Sequence, residues 1–122
     1  MRPPILLYAD GSFDFFKSVA EAERYAEPID VQNHEYVAYD SDGCRLELRV
    51  EEEVVAGLFG LGKINRERVR IVPAEDTATH ADELKSLLQD FLPKLGGPPD
   101  SLHSATLQDL IAAGIQQMGL SR

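Results

Sequence analysis

Apolar residues recur along the chain with two different periods, and the periods divide it into strands and helices. Residues 4–9 are apolar and run into Asp10-Gly11, a turn dipeptide, after which Phe13-Asp14-Phe15-Phe16 resumes the pattern. Two short runs around a D-G turn predict a β-hairpin. Residues 35–51 give the clearest alternation, broken by Asp40-Ser41-Asp42-Gly43-Cys44, which suits a three-residue hairpin loop with Gly43 in the left-handed conformation. That register pairs Asp40 with Cys44, Ala38 with Leu46 and Tyr36 with Leu48. One face then carries Tyr36, Ala38, Leu46, Leu48 and Val50 and is expected in the core. The other sets Glu35 across from Arg49, Val37 across from Glu47, and Tyr39 across from Arg45. Arg68-Val69-Arg70-Ile71-Val72-Pro73 alternates again and predicts an edge strand, because Pro73 has no N–H for a ladder.

Helical spacing appears in three places. Ser18-Val19-Ala20-Glu21 fits a capping box, so a short helix is expected from Val19 to about Ala26, stopped by Pro28, with Val19, Ala22 and Ala26 inward. Leu84, Leu87, Leu88, Phe91, Leu92 and Leu95 follow a continuous helix face, with Thr79 as N-cap and Gly96-Gly97 as the stop. After Pro98-Pro99-Asp100, a last helix beginning near Ser104 or Thr106 carries Leu107, Leu110, Ile111, Ile115 and Met118 inward, and Gly119 ends it.

These elements predict a single α+β domain over residues 1–122. Its small antiparallel sheet is built from two hairpins plus one further strand, with one short N-terminal helix and two C-terminal helices packed on the sheet. Residues 1–53 form hairpin, helix and hairpin; residues 54–66 read as a Gly-rich connector; residues 67–122 supply the strand and two helices.

Charge narrows the partners. The net charge is −9, from 21 acids and 12 bases, and residues 1–56 alone hold 13 acids against 5 bases. Residues 57–72 are the exception, with 4 bases and 1 acid. So negative a surface disfavours nucleic acid and anionic membrane and favours a cationic protein partner, while also serving solubility. Cys44 is the only cysteine, so no intramolecular disulfide is expected. The apolar run at the N-terminus is too short for a signal peptide or membrane span, and a cytoplasmic location is the expectation.

Chemical motifs are few. Gly57-Leu58-Phe59-Gly60-Leu61-Gly62-Lys63-Ile64 has the G-x4-G-K spacing of a phosphate loop, but Ile64 replaces the magnesium-binding Ser or Thr. Asp40-Ser41-Asp42-Gly43 resembles the start of a calcium loop, yet Gly43 is at position four instead of six and a strand follows. His80 and Glu83 at i, i+3 are two ligands, short of a metal site. A Cys44–His nucleophile pair would leave a thiol at the end of a hairpin, where a small strand residue is ordinary. Arg66, Arg68 and Arg70 form the only basic cluster, for which salt bridging to the acidic remainder is the duller role. No catalytic residue, cofactor or metal is assigned.

Leu7-Tyr8-Ala9-Asp10-Gly11, Phe16 to Tyr25, Glu27-Pro28-Ile29-Asp30-Val31 and Glu35 to Gly43 together resemble a family of small bacterial immunity proteins of polymorphic or contact-dependent toxin systems. The resemblance covers the first half, with an echo in Thr79-His80-Ala81-Asp82-Glu83-Leu84, and Asn33-His34 stands where relatives carry a turn glycine. It implies a non-enzymatic protein-binding module that neutralises a cognate toxin with a basic surface. The alternative is an adaptor or regulatory domain binding another protein; a small hydrolase or ligand sensor would need a pocket of convergent ionisable groups. Val37 and Tyr39, framed by Glu35 and Glu47, are the candidate partner-binding residues, with Glu21, Glu23 and Glu27 on the acidic helix as the other candidate surface. Under the competing reading, a C-terminal helix covers Val37 and Tyr39.

Overall fold

The computed structural model describes residues 1–56, 62–95 and 105–121, with residues 53, 55, 56 and 63–65 described by their backbone alone. Five strands, β1 (Ile5–Ala9), β2 (Ser12–Phe16), β3 (Val37–Tyr39), β4 (Arg45–Ala56) and β5 (Lys63–Pro73), form one antiparallel sheet in the order β2-β1-β3-β4-β5. Among the described residues four helices accompany it: α1 (Val19–Tyr25), α2 (Pro28–Gln32), α3 (Ala81–Phe91), extended by a 3-10 turn at Leu92–Leu95, and α4 (Leu107–Met118). The class is the α+β one expected, with helices on both faces of the sheet.

The face carrying Leu6, Phe13, Phe15 and Tyr39 packs against Leu84, Leu88, Phe91 and Leu92 of the α3 segment and Leu110 and Ile111 of α4. The opposite face, with Ile5, Leu7, Phe16, Ala38, Leu46, Val69 and Ile71, packs against Ala22 and Ala26. Val31 of α2 and the half-buried Tyr36 and Leu48 join this second cluster. Strands β1 and β2 are therefore apolar on both sides, and their sequence, ILLYA and SFDFF, contains a near-continuous apolar run.

Local signals account for most of the turns. Asp10 and Gly11 have φ of 52° and 75°, the two left-handed residues that a tight two-residue hairpin requires. The Ser18 hydroxyl accepts from the Glu21 N–H at 3.2 Å, and the Glu21 carboxylate bonds Lys17 at 3.2 Å. Thr106 and Asp109 form a reciprocal capping box at the start of α4. Gly43, at φ 90°, closes the β3–β4 turn, in which the Asp40 carboxylate accepts from the Asp42 and Cys44 N–H groups at 3.0 Å each. This is hairpin chemistry, and the calcium-loop reading of Asp40 to Gly43 has no geometry to rest on.

Several expectations are corrected. Pro28 does more than stop α1: it sits in the first turn of α2, where its missing N–H would have had no helical partner. After α2 the chain turns at His34, φ 57°, so the β3–β4 ladder holds only Ala38↔Leu46 and Tyr39↔Arg45. The expected pairs of Glu35, Tyr36 and Val37 with Arg49, Leu48 and Glu47 do not form: β3 begins only at Val37, which pairs with Tyr8 of β1, and the three β4 residues pair with β5. The stretch read as a connector, 54–66, is largely strand: β4 runs to Ala56 and β5 begins at Lys63. Its phosphate-loop-like glycines fall mostly at 57–61, outside the described residues, as do Gly96 and Gly97. Thr79 is not the cap of α3; His80 holds that position, and the Thr79 hydroxyl bonds Glu75. Met118 is exposed, whereas Leu110 and Ile111 are buried as expected.

Candidate binding surface

The sheet places the seven candidate partner-binding residues very differently. Tyr39 is fully buried, so it offers nothing to a partner in this fold, and its assignment to a binding face is corrected. The reason is position: β3 is the central strand, Tyr39 lies opposite Leu6 of β1, and α3 covers that part of the face with Leu84 and Leu88. Val37 is half-buried against the same cluster. The Arg45 guanidinium lies 5.6 Å over the Tyr39 ring and pairs with Glu83 at 3.7 Å. Burial, then the Glu83 charge, push the Tyr39 hydroxyl up to about 12, with Arg45 opposing.

Three of the candidate glutamates have intramolecular work. Glu21 bonds Lys17, and Glu47 pairs with Arg49 at 3.0 Å. A Glu23 oxygen accepts the Ile71 N–H at 2.8 Å, satisfying a backbone donor on the open edge of β5. Glu27 and Glu35 are exposed and make no ion pair among the described residues.

Around those two the structure gathers a negative field. Asp10 comes from the β1–β2 turn, Asp14 from β2, Glu27 and Asp30 from the start of α2, and Glu35 from the turn before β3. No ion pair among the described residues reaches any of them. A shared hydrogen bond with Asp30 and then its charge push the Glu35 carboxyl above its ordinary range, with desolvation and Asp10 adding to the shift. Tyr36 donates to Asp30 at 3.3 Å and is raised to about 12 by burial first and Asp30 next. Tyr25 donates to Asp14 at 3.1 Å and is raised by burial, Asp14 and Glu27. Beside these acids Tyr25 and Ile29 leave 41% and 61% of their surface exposed. Exposed apolar side chains within a charged rim have the anatomy of a protein interface. The sequence reading found Glu27 and Glu35; it missed Asp10, Asp14, Asp30, Tyr25 and Ile29, whose convergence depends on α2.

A second cluster does contain convergent ionisable groups. Glu75, at the end of β5, accepts the Arg45 N–H at 2.8 Å and lies 2.8 Å from His80 Nδ1; Glu83 is 4.0 Å from His80 Nε2. Arg45, Glu75 and His80 border an open cleft of about 490 Å³ that also meets His34, Tyr36 and Leu48. Desolvation raises the Glu75 carboxyl, but hydrogen bonds from Thr79, the Arg45 N–H and His80 outweigh it and hold the group at about 2. Such a carboxylate is ionised and a hydrogen-bond acceptor at neutral pH. The polar atoms here mainly bond each other, joining β4 to the connector before α3. Desolvation first, and then the carboxylates Asp40, Glu75 and Asp42, raise the Cys44 thiol above its ordinary range, which lowers its thiolate fraction.

Among the described residues no three His, Cys, Asp or Glu side chains converge to hold a metal, and no helix is long and apolar enough to cross a membrane. Comparison with protein-family models, curated proteins and solved structures returned no match.

Proposed function

We propose that the chain is a non-enzymatic binding domain that neutralises a basic protein toxin through the surface formed by Asp10, Asp14, Glu27, Asp30 and Glu35 with Tyr25 and Ile29. The observation that carries the reading is the gathering of these carboxylates, none with an ion pair among the described residues, around the exposed side chains of Tyr25 and Ile29. Like charges held together with no ion pair among the described residues raise the energy of the free protein. A cationic partner relieves that repulsion on binding and is steered toward it during approach. The resemblance of the first half to immunity proteins agrees with this choice of partner; an adaptor binding another basic protein is the neighbouring reading.

The test is affinity capture from the native host with two baits, the unaltered chain and an Asp30→Lys/Glu35→Lys variant of unchanged melting behaviour. A basic protein should be retained by the first bait and lost from the second. Its expression alone should arrest growth, and co-expression of this chain should restore it. Equal retention by both baits overturns the surface. A partner harmless to growth overturns neutralisation and leaves the adaptor.

A further inference from the structure

We propose that the outer edge of β5 is a strand-addition site for an extended partner segment alternating acidic with small apolar side chains. The site is separate from the acidic surface and does not depend on it.

Among the described residues no strand pairs with this edge. The Ile71 N–H points away from β4, since it donates to Glu23 of α1. In an antiparallel strand residues two apart share that direction, so the N–H and C=O groups of Val69, Glu67 and Asn65 also face outward. Pro73 shares the same parity, so its missing N–H costs the ladder nothing. Glu23 blunts the edge at Ile71, and Val69 to Asn65 continue beyond it. Beside this stretch runs a groove of about 630 Å³, lined by Ala20, Glu23, Arg24, Ala26 and Pro28 on one wall and residues 66–69 on the other. A strand laid along β5 would direct alternate side chains toward Ala20, Ala26 and Pro28, which leave room for small apolar groups.

Its other side chains would lie beside Arg66, Arg68 and Arg70, which occupy alternate positions on the opposite face and are exposed. Across the ladder Arg70 faces Arg49, while Arg68 faces Glu51 and Arg66 faces Glu53; the Arg70–Glu51 contact is long, at 3.8 Å. Acidic side chains on an added strand meet this row favourably. A second copy of the chain does not fit. Antiparallel pairing of β5 with itself that sets Glu67 opposite Glu67 also sets Arg66 opposite Arg68. The register that sets Glu67 opposite Val69 places Arg68 opposite Arg68 and Arg66 opposite Arg70. Like charges directly opposite are destabilising, so the row resists self-pairing while favouring an acidic strand.

The probe is a capped peptide of alternating glutamate and valine about eight residues long, within the range of ordinary strands. A lysine–valine peptide of the same length is the control. Amide hydrogen exchange on the whole chain should show new protection at Glu67 and Val69 with the first peptide and little with the second. Arg68→Glu should weaken the acidic peptide by about fivefold or more and improve the basic one, since one cross-strand attraction becomes a repulsion. Glu67→Pro removes an outward N–H that β4 does not use and should abolish binding; should that variant melt early, Arg68→Glu carries the test. Equal binding of both peptides, binding without protection at Glu67 and Val69, or no binding of the acidic peptide overturns the proposal. So does a concentration-dependent dimer of the free chain that protects the same amides.

Discussion

The two hairpins at opposite ends of the sheet use the same antiparallel ladder and end in opposite environments. In β1–β2 the side chains of Ile5, Leu6, Leu7, Phe13, Phe15 and Phe16 are all essentially inaccessible, on both faces. In β4–β5 one face contributes Leu46, Val69 and Ile71 to the core beneath α1 and α2, while the other presents Glu47, Arg49, Arg68 and Arg70 to solvent. Even the free edges differ. The β2 edge receives the C-terminal segment, where the Ser121 N–H donates to the Phe15 carbonyl at 2.7 Å, whereas Glu23 satisfies one donor on β5 and leaves a stretch beyond it open. Among the described residues packing covers both faces of the first hairpin and one face of the second. Stability should therefore be concentrated in the first hairpin, and sites of association beside the second or around the turns that join the layers.

The largest test of that division is a pair of truncations. Phe15 is buried, and a Cβ built on Gly114 of α4 would fall 2.4 Å from its ring, so the ring occupies the space that the glycine leaves. Phe15→Ala should cost about 3–5 kcal/mol in urea unfolding, through lost transfer energy and a cavity α4 cannot fill. Val54 on β4 is 58% exposed, and Val54→Ala should change stability by under about 0.5 kcal/mol. Similar losses at both sites would mean that the second hairpin is as well packed as the first.

A smaller loss should follow where the central hairpin turn meets α3. Gly43 adopts φ 90°, and a Cβ there would lie 2.4 Å from the Ala81 Cα, a backbone atom. Gly43→Ala combines left-handed strain with a clash that only a shift of α3 or the turn relieves, at about 2–4 kcal/mol together. A cost no larger than ordinary left-handed strain, about 1 kcal/mol, would show that α3 docks loosely on the turn.

The same contrast explains what could be read from the sequence. Asp10-Gly11, Ser18, Gly43 and Thr106 each fix their element by local chemistry, and each was legible, as was the Ala38–Leu46 register. Tyr39 and Val37 were not. They share a face with Arg45 and Glu47, so alternation alone assigns all four one environment, yet α3 covers the β3 end and leaves Glu47 open. Coverage of a face is a tertiary property that period-2 patterning does not encode. The acidic surface was legible only in part for the same reason. Glu27 and Glu35 stand out in sequence, but Asp10, Asp14 and Asp30 join them only because Pro28 starts α2, a role masked by its equally good credentials as a helix stop.

Acid titration sharpens the comparison with a subtler effect. Glu75 ties the Arg45 N–H to His80 and titrates at about 2 in the fold, against an ordinary 4.5. A depressed carboxyl supports the fold fully above its ordinary value, and that support is lost as pH falls from about 4.5 toward 2. Glu75→Gln keeps an acceptor for Arg45 but has nothing to titrate. The slope of stability against pH in that window should flatten, with urea midpoints measured across it as the readout. An unchanged slope would assign the acid sensitivity to other carboxylates.

The smallest effect on stability, and the one that bears most directly on function, is expected at Glu35, where the sign reverses. Its folded carboxyl lies above its ordinary value, so the fold binds a proton there more readily than the unfolded chain does. Stability from this group grows as pH falls through that raised range and is absent at neutral pH, where its charge instead opposes Asp30 and Asp10. Glu35→Gln removes the opposition and should raise the melting temperature slightly at pH 7, with the gain fading as the solution is acidified. If the acidic surface meets a basic partner, the same substitution should slow association, most at low salt, so that the variant is more stable and binds less well. Glu35→Gln with lowered stability would show that the carboxylate supports the fold. A gain in stability with unaltered association would remove Glu35 from the binding surface and leave Glu27, Asp14 and Tyr25 as its centre.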